Sequence, residues 1–72
     1  MARTSILQRL GTNVQQYRKQ AGLTQVQLGS ATGLDRGYIS GVERAARNPS
    51  IKTLEKIAKV LKVKVSDLTV GL

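Results

Sequence analysis

Residues 24–42, TQVQLGSATGLDRGYISGV, decide how this chain folds. Thr24 is a residue type that caps a helix with its side-chain oxygen, and Gln27, three positions on, completes a reciprocal capping box. Leu23 and Leu28 flank that start as an apolar staple. Gly33 suits the left-handed conformation that ends a helix and turns the chain. Asp35 then caps a second helix, with Leu34 and Ile39 as its staple. Leu28, Leu34, Ile39 and Val42 supply inner faces for both helices, and Gly29 permits a close approach between them. Two short helices joined by so tight a turn cross at a steep angle and present the second one outward.

The same grammar extends in both directions. Leu7, Leu10, Val14 and Tyr17 recur at spacings of three and four and predict a first helix from about Ile6 to Ala21, capped by Ser5 with Gln8 and ended by Gly22. Downstream, Pro49 interrupts the chain, Ser50 caps a fourth helix, and Leu54, Ile57, Ala58 and Leu61 form its stripe. Ser66 reads as the cap of a short last turn, with Val65 and Val70 as its staple. The alternation of Val and Lys over 60–65 is a competing strand signal, but five short helices fit the whole pattern better. The expectation is an all-α chain, residues 1–72 forming one domain.

Seventy-two residues are near the lower size at which one core holds without disulfides or metal. The chain has no Cys and no His, which excludes thiol and imidazole catalysis, zinc fingers and a disulfide framework. Its four carboxylates are dispersed in sequence, so the reading is not an enzyme, with no cofactor and no metal. Twelve Lys and Arg give a net charge of +8, which calls for a polyanionic partner. No stretch approaches the roughly 18 apolar residues that mark a membrane span. The N-terminus lacks a signal-type apolar block, and the expected location is the cytoplasm, at the nucleoid.

Several segments together carry a resemblance: residues 17–25, YRKQAGLTQ; 34–40, LDRGYIS; Glu43 and Arg44; 47–50, RNPS; and 54–58, LEKIA. In these the chain resembles the Xre/Cro/cI family of helix-turn-helix transcriptional regulators, which includes phage repressors and restriction-modification controller proteins. The resemblance spans Leu7 to Leu68 and implies a five-helix, lambda-repressor-like DNA-binding domain with its motif at about 24–44. It further implies that Gln25 meets a DNA phosphate and that Arg18 and Glu43 pair to hold the recognition helix.

On that reading Arg36, Gly37, Tyr38, Ser40 and Gly41 lie where base edges are read. Arg36 leads, because a guanidinium matches guanine O6 and N7; a phosphate contact is its alternative. Tyr38 has the alternative of a half-buried ring. Gly37 and Gly41 depart from the longer polar side chains expected there. Arg44, Arg47, Asn48 and Lys52 are phosphate candidates. Lys56 and Lys59 extend the basic stripe from Lys52, and Glu55 is placed to pair with Lys59. Val63, Val65, Leu68 and Val70 are candidates for a dimer surface, with core capping as the alternative.

The expected mechanism is a homodimer on double-stranded DNA, placing two recognition helices in successive major grooves of a near-palindromic operator to occlude or recruit RNA polymerase. No small-molecule effector is expected. The alternatives are an antitoxin or bridging protein acting through a protein partner, and a binder of polyanions by charge alone.

Overall fold

A computed structural model describes residues 2–72, and side chains from Ile6 onward. The first helix, α1, runs Ala2–Gln20, starting four residues before the periodicity suggested. Ser5 is therefore inside the helix rather than at its cap, and its side chain lies outside the described residues. Of the α1 stripe, Leu10 and Val14 are buried, while Leu7 and Tyr17 are half-buried.

Helices α2 (Gln25–Thr32) and α3 (Arg36–Glu43) form the tight pair. Thr24 Oγ1 accepts from the Gln27 N–H at 3.0 Å, and Gln27 Oε1 accepts from the Thr24 N–H at 2.8 Å, so both halves of the capping box are made. Asp35 Oδ2 accepts from the Gly37 N–H at 2.9 Å. Gly33 takes φ 75°, which turns the chain between the helices. At Gly29 a Cβ would stand 2.7 Å from the Leu34 carbonyl oxygen, so the close approach is between backbones.

Helix α4 (Ile51–Leu61) starts at Ser50, whose hydroxyl accepts from the Thr53 N–H at 3.1 Å. Val60 and Leu61 complete it, and Lys62 turns in the left-handed region at φ 60°, which ends the competing strand reading. The last helix, α5 (Val65–Leu68), is capped two residues earlier than expected. Lys64, not Ser66, is the cap residue, because Asp67 Oδ2 accepts the Lys64 N–H at 2.8 Å. That register makes Val63 and Leu68 the staple positions, and both pack on the core; Val70 is exposed.

The core joins Leu10 and Val14 of α1 to Leu28, Ile39, Val42, Leu54, Ile57, Ala58, Leu61 and Leu68. Helix α3 lies against α1 and α2, α2 against α4, and α5 against α4 and α1. Leu68 has no exposed surface, so it belongs to this core and not to a dimer surface. Its carbonyl and that of Val70 each accept from the buried Asn13 amide at 2.9 Å, tying the C-terminal turn to α1. Among the described residues no helix is long and apolar enough to cross a membrane.

Candidate nucleic-acid interface

The outward helix α3 is held at its far end by an ion pair. Glu43 Oε2 accepts from Arg18 Nε at 2.6 Å, and Oε1 accepts from Arg18 Nη2 at 3.0 Å. This bidentate arrangement joins α1 to α3. Arg18 Nη1 also donates to the Leu23 carbonyl at 2.8 Å, which brings in the turn before α2. The side chains are 9% and 1% exposed, so the pair is shielded from water. The Glu43 hydrogen bond raises the Arg18 pKa above its ordinary value, burial opposes it, and the Glu43 charge adds to the rise.

Gln25 is drawn into the same network, with Nε2 donating to Glu43 Oε1 at 3.1 Å. A side-chain amide has two N–H donors. One is spent on Glu43, so the ion pair orients the amide. Helix geometry also leaves the Gln25 and Val26 N–H groups without an intrahelical acceptor at the positive end of α2. Lys19, Thr24, Gln25 and Arg36 line one hollow there. The end of α1 and the starts of α2 and α3 thus converge on a cationic corner with free backbone donors.

Arg36 is exposed at the first position of α3, and Gly37 beside it is exposed. The remaining base-reading candidates are arranged differently. Tyr38 is half-buried and packs on the core. Ser40 Oγ accepts from Arg44 Nε at 3.2 Å. Gly41 is buried: the Arg47 side chain lies over it, with Cγ 2.7 Å from where a Cβ would be. What faces outward at Gly41 is therefore Arg47. The Arg47 guanidinium carbon sits 5.8 Å from the Tyr38 ring centre.

Two arginines that follow α3 in sequence thus fold back along its surface, a feature that residue spacing does not show. Asn48 is exposed in the loop beyond them. Lys52 falls elsewhere, sharing a hollow with Lys56, Lys59, Val63 and Val65 on the α4 face. Of the dimer-surface candidates, Val63 and Val65 line that hollow half-buried, and Val70 is exposed apart from it.

Asp35 and Asp67 are spent on helix starts and Glu43 on Arg18, so three of the four carboxylates have internal partners. Among the described residues no group of three or more acidic, His or Cys side chains is placed to hold a metal ion.

A helix-turn-helix family model matches residues 14–68. The chain is 42% identical over 57 residues to the immunity repressor protein of Bacillus phage phi105, covering 79% of this chain and 40% of that protein. It is 40% identical over 60 residues to the HTH-type transcriptional regulator SinR of Bacillus subtilis, covering 82% of this chain and 54% of SinR. It therefore spans about half the length, or less, of these two relatives. A crystal structure of the restriction-modification controller protein C.AhdI from Aeromonas hydrophila superposes with a TM-score of 0.84 at 37% identity, covering 86% of this chain and 94% of that one. A structure of SinR in complex with DNA superposes with a TM-score of 0.79 at 40% identity, covering 82% and 95%. With most of its length matched by the family model and its recognition-type helix pair in place, the chain belongs to the helix-turn-helix family.

Proposed function

We propose that this chain is a sequence-specific DNA-binding transcriptional regulator that inserts the start of α3 into the major groove. The observation that carries this reading is the exposed Arg36 at the head of α3, beside the cationic corner at the start of α2. Arg36 reads a base edge through its guanidinium, and Gly37 lets the helix approach closely. Gln25, oriented by Glu43, and the N–H groups at the start of α2 hold one phosphate. Arg44 and Arg47, folded along α3, hold the backbone on the groove's other wall, with Asn48 beside them.

The SinR complex with DNA supports DNA binding, and the names of the relatives support a role in transcription. The regulator acts as a homodimer on a near-palindromic operator, with two α3 helices about 34–36 Å apart. Val63, Val65 and the exposed Val70, which follow α4, are the apolar side chains through which the two copies would meet. Occupancy then blocks RNA polymerase or recruits it.

Selection of bound fragments from random-sequence DNA, with competitor DNA present, tests this reading. A near-palindromic motif should be enriched by the wild-type chain, and Arg36→Ala should change the preferred bases within each half-site. A motif unchanged by Arg36→Ala would move that residue to a positioning role. No enrichment, with salt-sensitive binding retained, would replace the regulator with a charge-driven binder or a module for a protein partner.

A further inference from the structure

Three helical glycines are buried in this fold, and they face different neighbours. A Cβ at Gly11 would stand 2.6 Å from the carbonyl oxygens of Val42 and Glu43, and one at Gly29 would stand 2.7 Å from that of Leu34. Both glycines allow backbone to meet backbone. At Gly41 the nearest atoms all belong to the Arg47 side chain: Cγ at 2.7 Å, Nε at 3.5 Å and Cδ at 3.7 Å. The space left by the missing Cβ is filled by the stem of an arginine whose head stays exposed. That head lies within reach of the Tyr38 ring, one helical turn back along α3.

We propose that Gly41 and Tyr38 form a seat for Arg47, holding its guanidinium along α3 for the DNA phosphate backbone before DNA arrives. The proposal rests on the DNA-binding reading and deepens it. Gly41 is then a positioning residue and not a reader of bases. A glycine inside a helix weakens that helix, and at Gly41 the atoms nearest to the missing Cβ are all from Arg47, so the placement of that side chain is what the glycine permits. An unseated arginine loses rotamer freedom when it binds at an interface; one already laid down has less to lose. Tyr38 supplies the ring face that orients the head, and its own packing on the core keeps that face still.

A double-mutant cycle on the full chain, read against the enriched DNA fragment, separates this role from others. Gly41→Ala should stay folded, the helix preference of alanine offsetting part of the cost of shifting the Arg47 stem, whose Cγ would stand 2.7 Å from the new Cβ. Its affinity should nonetheless fall roughly three- to tenfold, with a shallower salt dependence approaching the change of about 0.9 in log–log slope that one lost phosphate contact gives. In an Arg47→Ala background the same substitution should add no further loss. Tyr38→Leu should show the same dependence on Arg47, and it serves if Gly41→Ala does not fold.

Equal losses with and without Arg47 would overturn the seat and make Gly41 a direct point of DNA approach. Unchanged affinity in Gly41→Ala would overturn it as well. Nitrogen-15 relaxation at Arg47 Nε in the DNA-free protein gives a second reading: the group should be ordered in wild type and released by Gly41→Ala. An Arg47 head already disordered in wild type would sink the seat. An ordered, Gly41-dependent head with no DNA enrichment would leave the seat standing and refute the regulator.

Discussion

At the scale of single residues, the Arg18 and Glu43 pair decides how firmly α3 is held. Two nearly buried charges are stabilising only as a pair, because either one left alone keeps its desolvation cost. Glu43→Leu strands the guanidinium and takes the acceptor from Gln25 as well. Urea denaturation should show a loss of about 3–5 kcal/mol for that variant. Arg18→Met combined with Glu43→Leu should recover a large part of it; a double variant no more stable than the single would show that the charges are not the issue. The raised Arg18 pKa has a clear sign: its contribution is present in full below the ordinary arginine range and fades only above it, so it adds no pH dependence near neutrality. The pairing was legible from the resemblance, since both residue types stand at the matching positions. Gln25 as a third member was not, because a glutamine at a helix start has several equally good uses in sequence.

At the scale of elements, one device ends four helices. Gly22, Gly33, Ala45 and Lys62 all take positive φ, and the N–H of the residue after each bonds to the carbonyl five positions back: Leu23 to Arg18, Leu34 to Gly29, Ala46 to Gly41 and Val63 to Ala58. The two glycine ends were readable in the sequence. The other two were hidden, because alanine and lysine carry no mark of a left-handed turn, and the packing of α3 and α4 imposes it at a steric cost. Lys62→Gly should relieve that cost and stabilise the chain by about 0.5–1 kcal/mol, less than the full left-handed penalty because glycine also loosens the unfolded state. For a domain of this size each kcal/mol moves the melting temperature by about 4–8 °C. Circular dichroism melting checks it, and an unchanged or lowered midpoint would mean that the lysine side chain contributes more at this site than its backbone strain costs.

At the scale of the whole molecule, a charge of +8 is gathered on a body with a Cα radius of gyration of 10.8 Å. The Debye length is about 10 Å at 0.1 M salt, so added salt screens repulsion across the entire protein. Thermal stability should therefore rise with sodium chloride while DNA affinity falls, the two trends having opposite signs from one cause. Melting and binding titrations over the same salt series test this, and a melting point that drops with salt would show internal ion pairs outweighing surface repulsion. The sequence by itself determined the helices, their order and the outward helix with Arg36 at its head, because caps, staples and periodicity act between residues a few positions apart. It also placed the charge that calls for a polyanion. The last turn misled it: Lys64 and not Ser66 holds the cap position, with Asp67 accepting its N–H from inside the helix, and that register depends on how α5 meets the core. Only the tertiary structure decided that Leu68 is core, that Asn13 reaches carbonyls more than fifty residues away, and that Gly11 and Gly29 face backbone whereas Gly41 faces Arg47. Those partners are chosen by the docking of whole elements, and no local pattern around a glycine or an asparagine records what will be packed against it.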